Sequence, residues 1–129
     1  MFYITLKIFT QDDFGAFFNL RYTKEEKVII KGDVNITTSW VEIWGHNARI
    51  DEEVGYFKHK IENSGFIEVE PLKWVPTWRN NSYGIEGVAK RLDRFLVSES
   101  IMYEVGGSKS WVIIVGFFDH CEIILQIDG

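Results

Sequence analysis

Apolar and polar positions alternate along "FYITLKIF", and the stretch is rich in β-formers, so residues 2–9 are predicted to form a strand. In "TQDDFGAFFNLRYT", Thr10 or Asp12 is placed to cap a short helix over roughly residues 12–21. "KVIIKGDVNI" supplies a short apolar strand over 27–31 that stops at Gly32. Residues 36–50, "ITTSWVEIWGHNARI", have no clean period and are expected to form a loop with a turn at Gly45-His46-Asn47.

The strongest helical pattern begins at Asp51-Glu52-Glu53, where the helix dipole favours negative charge. Val54, Phe57 and Ile61 then recur at helical spacing, and Asn63-Ser64-Gly65 ends the element, with Gly65 free to take the left-handed conformation. "FIEVEPL" is predicted to be a short strand. "PTWRNNSYGIEG" is a strand fragment followed by a polar hairpin with Asn80-Asn81 at its tip. A further strand covers 90–97, "SESIM" starts a short helix or turn, and Gly106-Gly107 opens a flexible connection. "SWVIIVGFFDHCEIILQID" gives two last apolar strands joined near Phe118-Asp119. Short strands mixed with one or two helices predict an α/β (α+β) sheet layer. Several of these strands are apolar on both faces, as in sheets covered on two sides.

Composition narrows the class. A chain of 129 residues suggests one domain spanning 1–129, and 46% hydrophobic residues supply its core. The net charge of −5 argues against a protein that holds nucleic acid by bulk positive charge. Contact with a phosphate must then come from a local patch or a bound metal, and a carboxylate-rich metal site itself adds negative charge. The single cysteine, Cys121, rules out an intrachain disulfide and fits an intracellular protein, nuclear or cytoplasmic. No apolar run approaches the ~20 residues of a membrane helix, so no membrane association is expected. The lysine within the N-terminal apolar stretch argues against a signal peptide.

Three short pieces carry chemistry. Gly32-Asp33-Val34-Asn35 ends an apolar strand, Asp93 interrupts the core-like Arg91–Ser98, and Asp119-His120 precedes the last strand. Each puts an acid, amide or imidazole where a buried polar group needs a partner. With Pro76-Thr77-Trp78 and Asn80-Asn81 between them, the set resembles the endonuclease/exonuclease/phosphatase family, with particular likeness to the endonuclease domain of plant LINE-type retroelements. The family usually has Gly-Asp-Phe-Asn at 32–35 and Gly-Ser-Asp-His-Cys-Pro where this chain has Gly116–Glu122 with Phe118 and Glu122 as departures. The likeness runs from about Lys27 to Leu125.

The resemblance implies two sheets packed face to face with helices outside, of which this chain is expected to be a truncated half. It implies metal-dependent hydrolysis of DNA phosphodiester bonds, with Mg2+, or Mn2+ in its stead, as the cofactor. His120 would act as base or phosphate-contacting electrophile, and Asp93 would orient its imidazole. Asp33 would position the attacking water, Asn35 would contact phosphate oxygens, and Asp119 would help hold the cation. Trp78, Arg91 and Arg94 are the candidate substrate-binding residues. Nothing before Lys27 matches the family's segment carrying its principal Glu metal ligand, so impaired activity is expected. The alternative is an inactive fragment, either a nucleic-acid-binding or interaction module or an inert relic. A phosphatase of the same family is a third class.

Plainer roles compete at each position. Against its functional role, the lesser alternative for Asp33 is a turn former with Asn35, for Asp93 a buried acid met by an arginine, and for His120 a strand-end histidine. Trp74 and Trp78 suit core packing as well as base stacking, and Lys90, Arg91 and Arg94 suit solubility as well as phosphate contact. His46 and His59 are expected on the surface, and Cys121 as a small buried hydrophobe. Half a sandwich leaves an apolar sheet face bare, so self-association through that face is expected.

Overall fold

The computed structural model describes residues 4–9, 26–33, 37–45, 54–80, 87–113 and 121–128. The helix expected at 12–21, the hairpin tip beyond Asn80, Asn35, His46 and the Phe118–His120 segment lie outside these residues. In chain order the elements are β1 (Thr5–Phe9), β2 (Val28–Asp33), a 3-10 turn (Trp40–Glu42), β3 (Ile43–Trp44), helix α1 (Val54–Asn63) and β4 (Phe66–Glu68). Then follow β5 (Trp78–Arg79), β6 (Ala89–Lys90), β7 (Asp93–Ser98), helix α2 (Glu99–Glu104), β8 (Gly107–Ile113) and β9 (Glu122–Asp128).

The central sheet has the order β1-β2-β7-β4, with β1 parallel to β2 and the other pairs antiparallel. A small sheet, β3-β6-β5, and the antiparallel β8–β9 hairpin complete the α/β architecture. Strand periodicity sorts the central sheet's side chains into two faces. On one face Ile29, Phe95 and Val97 join Val69, Ile101 and Ile123 in a buried cluster. Met102 from α2, with Val112, Leu125 and Ile127 from the hairpin, closes over it. On the other face Val28, Ile30, Phe66 and Leu96 are buried, and α1 lies against β4 on the side of its buried Phe57 and Ile61. Both faces of β2 and β7 are therefore apolar because a hairpin covers one and a helix the other.

Local chemistry sets the ends. Gly65 takes φ 75° after α1 and lets the chain turn straight into β4. Ser98 ends β7, and its hydroxyl accepts the Val28 N–H at 2.9 Å, capping the start of β2. The Asn80 side chain accepts the Val88 N–H at 2.8 Å, while its own N–H donates to the Val88 carbonyl, closing the β5–β6 hairpin.

Four elements differ from the sequence expectation. β2 runs through Gly32 to Asp33, because β7 continues to pair with it. The expected loop at 36–50 contains the 3-10 turn and β3, both too short to show a period. The strand expected over 90–97 is broken at 91–92, where the Leu92 and Asp93 N–H groups turn to the Thr77 hydroxyl. Gly106-Gly107 is no flexible connection: the Gly106 N–H donates to the Asp128 carbonyl at 2.6 Å and Gly107 opens β8.

Two glycines give opposite outcomes for one substitution. Gly45 sits at φ 130°, where a Cβ would meet the Gly87 carbonyl oxygen at 2.6 Å. Gly45→Ala is expected to destabilise the fold by about 1–3 kcal/mol in urea unfolding. Gly55 lies in α1 with open space around it, so Gly55→Ala should stabilise by about 0.5 kcal/mol.

Candidate functional site

The β2–β7 register sets the last residue of β2 directly opposite the first residue of β7: Asp33 faces Asp93. Opposed residues of an antiparallel pair point to the same side, with Cβ atoms about 5 Å apart. Both carboxylates therefore lie on the face that carries Ile29 and Phe95, toward the β8–β9 hairpin. Asp33 is buried and Asp93 half-buried.

Thr77 ties this corner together. It is fully buried, and its hydroxyl accepts the N–H groups of Leu92 at 2.9 Å and Asp93 at 3.1 Å. Its own N–H donates to the Lys90 carbonyl, and its carbonyl accepts the Cys121 N–H at 2.7 Å. The Cys121 N–H thus reaches the corner that holds Asp93. Cys121 itself is half-buried. Lys31, two residues before Asp33, reaches Glu122 at 3.6 Å and lies 5.9 Å from the Phe95 ring centre, holding the start of β9 over β2. Trp78 is half-buried beside Thr77. Thr77 and Lys31 were not marked as site residues by the sequence; only the Pro76-Thr77-Trp78 block pointed near them.

Arg91 and Arg94 go elsewhere. Arg94 lies one residue beyond Asp93 on β7, so it points to the opposite face. There its guanidinium makes a two-pronged contact with Glu42, at 2.7 and 2.8 Å, and also pairs with Glu68. Arg91 donates to the same Glu42 at 2.5 Å and to Glu68 at 3.1 Å. Its guanidinium also lies 5.2 Å from the Trp74 ring centre. Glu42 accepts two more bonds from the backbone and hydroxyl of Thr38, at 2.6 and 2.7 Å. Arg91, Arg94 and Glu42 are all buried. The two cations expected to meet substrate are thus enclosed and charge-matched by acids, which corrects a surface-exposed picture of them. His59, by contrast, is exposed on α1 as expected and accepts from the Asn63 amide at 2.8 Å.

Burial by itself raises the Glu42 carboxyl, but the Arg94 hydrogen bonds and charge, with the Thr38 donors, outweigh it and lower it from 4.5 to about 2. Burial likewise weakens the Arg94 cation, and Glu42 and Glu68 more than restore it, raising it above its ordinary value.

Among the described residues no cluster of three histidine, cysteine or acidic side chains is placed to hold a metal. The Asp33–Asp93 pair supplies oxygen donors of the type a hard divalent cation takes, and such an ion keeps several waters. A groove of about 280 Å³ lined by Thr38, Phe57, Ile61 and Phe66 lies on the other face of the sheet, away from this corner.

The central sheet carries a strand hairpin on one face and a helix on the other, with two acids at one strand end. Solved structures share this fold, among them two nucleases. The endonuclease domain of TRAS1, a telomere-specific non-LTR retrotransposon, matches with a TM-score of 0.57 at 19% identity, over 78% of this chain and 42% of that one. The 3'-5' exonuclease NExo from Neisseria meningitidis matches with a TM-score of 0.60 at 16% identity, over 80% of this chain and 46% of that one. The chain spans less than half the length of either, and what it shares with them is part of their α/β fold. No protein-family model and no curated protein matches the sequence.

The Glu42 carboxyl is lower in the folded protein than in the unfolded chain. Its contribution, on the order of 3 kcal/mol, is present above pH 4.5 and is lost as pH falls through about 2. Urea unfolding between pH 7 and pH 2 is expected to show that loss. Glu42→Gln should lower stability at pH 7 by about 3–5 kcal/mol, since it leaves two buried arginines short of an anion.

Proposed function

We propose that this chain carries the second half of a metal-dependent phosphodiesterase site of the endonuclease/exonuclease/phosphatase type, acting on DNA inside the cell. The observation that carries the proposal is the Asp33–Asp93 pair at one strand end of a nuclease fold, joined through Thr77 to the strand that follows Asp119-His120. A retroelement origin is supported by the order of the four sequence blocks and by the likeness to the TRAS1 domain.

The chemistry divides among the chain's own residues. Asp33 orients the attacking water. Asp93 holds the His120 imidazole in one tautomer, and that imidazole moves the proton or polarises the phosphate. Asn35 donates to a phosphate oxygen. Asp119 and Asp33 would hold Mg2+ or Mn2+, which would supply charge neutralisation at the phosphate and a more acidic water. Trp78 contacts a base or sugar at the rim.

A second reading, a catalytically silent interaction module, is supported by the enclosure of Arg91 and Arg94, which withdraws two cations from phosphate contact.

Nicking of supercoiled plasmid discriminates them. On the first reading the purified chain with Mg2+ should convert supercoiled to open circles, at a rate impaired by the absent half of the site. EDTA, Asp93→Asn and His120→Ala should each abolish the conversion, with rates at least about 100-fold down. No nicking in Mg2+ or Mn2+, from protein with a folded circular-dichroism spectrum, would leave the silent module as the correct account.

A further inference from the structure

β1 is an edge strand with an unusual surface. Among the described residues it pairs on one side only, with β2. The side chains of Ile4, Leu6 and Ile8 are 40%, 57% and 65% exposed, a row of three large aliphatic groups at strand spacing. Edge strands are ordinarily blunted by charge, proline or a bulge, because their open backbone invites another strand. Here Lys7 is the one charge from Ile4 to Ile8.

The backbone of this edge has a definite polarity. The Thr5 N–H donates to the Lys27 carbonyl, so Thr5 and Lys7 turn their peptide groups toward β2. Peptide groups alternate sides along a strand, so those of Ile4, Leu6 and Ile8 point outward, away from the sheet. The register sets Leu6 beside Ile29 and Ile8 beside Lys31. The exposed aliphatic row therefore continues the sheet face that the β8–β9 hairpin covers over Ile29 and Phe95. The covering layer consists of two strands, while the sheet beneath has four. The row lies on the outermost of those four.

We infer that this edge is a dimer interface, in which β1 of one copy pairs antiparallel with β1 of a second copy across a two-fold axis at Leu6. Only strands of the same outward polarity can form such a ladder, which restricts a two-fold axis to a residue of β1 itself. An axis at Lys7 would set two like charges directly opposite, which is unfavourable. An axis at Thr5 would leave Ile8 without a partner from the Ile4–Ile8 stretch. The Leu6 axis pairs Ile4 with Ile8, Thr5 with Lys7 and Leu6 with its own copy, and it keeps the two ammonium groups apart. Side chains paired this way share a face, so six aliphatic groups form one continuous strip. Joining two four-stranded sheets at this edge gives an eight-stranded sheet with the ladder's outward donors and acceptors satisfied. The interface is isologous and closes on itself, so it ends at two copies and builds no fibre. Hydrogen bonds along the strand and the aliphatic strip on one face are the ordinary means of strand addition.

Two substitutions isolate the edge. Leu6→Pro removes an N–H that points outward and takes none from the β1–β2 ladder, the placement that edge strands tolerate. Leu6→Lys sets two cations opposite each other at the axis. Sedimentation velocity of the wild-type chain at tens of micromolar should show a dimer, and each variant should weaken dimerisation at least about tenfold with an unchanged far-ultraviolet circular-dichroism spectrum. In a Cys121→Ser background, a nitroxide on Leu6→Cys should report dipolar broadening, because opposed Cβ atoms lie about 5 Å apart. A nitroxide on Tyr103→Cys, an exposed position on α2, should not. A monomeric wild-type chain would overturn the inference. So would a dimer that persists in both variants, or broadening at position 103 without broadening at position 6.

Discussion

Everything at the candidate site depends on the register of β2 against β7. A one-residue slip in an antiparallel pair moves every side chain of the slipped strand to the other face. Asp93 would then leave Asp33 and turn toward α1, while Arg94 would swing toward the hairpin. The ion-pair cluster on the α1 side opposes that slip. Arg94 in its native place meets Glu42 and Glu68, whereas in a slipped strand it would be buried without them. An unpaired buried charge costs about 3–5 kcal/mol, more than a single hydrophobic pair contributes. Buried ion pairs add little net stability by themselves. Their effect here is to specify one alignment, and that alignment brings two aspartates together on the far side of the sheet.

The same cluster explains a feature of the sequence with no evident purpose at first sight. Arg91 and Arg94 are three residues apart, which in an unbroken strand would send them to opposite faces. The break at residues 91–92, where two successive N–H groups turn to the Thr77 hydroxyl, re-aims Arg91 so that both arginines reach Glu42. Thr77 thus serves both sides of the sheet. It shapes the kink that brings Arg91 to the cluster, and it ties Asp93 to Cys121.

Long periodic elements were legible from sequence. The α1 stripe of Phe57 and Ile61, the alternation of β1 and the apolar β7, β8 and β9 all fall close to where periodicity puts them. The four blocks of the family resemblance also pointed to the fold that the structural neighbours share. What escaped was non-local. Glu42 looked like a loop acid because a three-residue turn and a two-residue strand carry no period, and its partners lie 49 and 52 residues away. Arg91 and Arg94 looked like surface cations because charge in a sequence does not say which face it occupies. Asp33 and Asp93 could be marked as candidates from their setting, but only strand pairing shows that they face one another.

We propose that this register places Asp33, a cation ligand, directly beside Asp93. Paramagnetic line broadening tests it most directly. Mn2+ added to the isotope-labelled chain at low ratio should broaden the amide signals of Asp33, Thr77, Asp93 and Cys121 before those of α1, and Asp33→Asn should abolish that order. Broadening that begins at α1, or that is unchanged in Asp33→Asn, would overturn it.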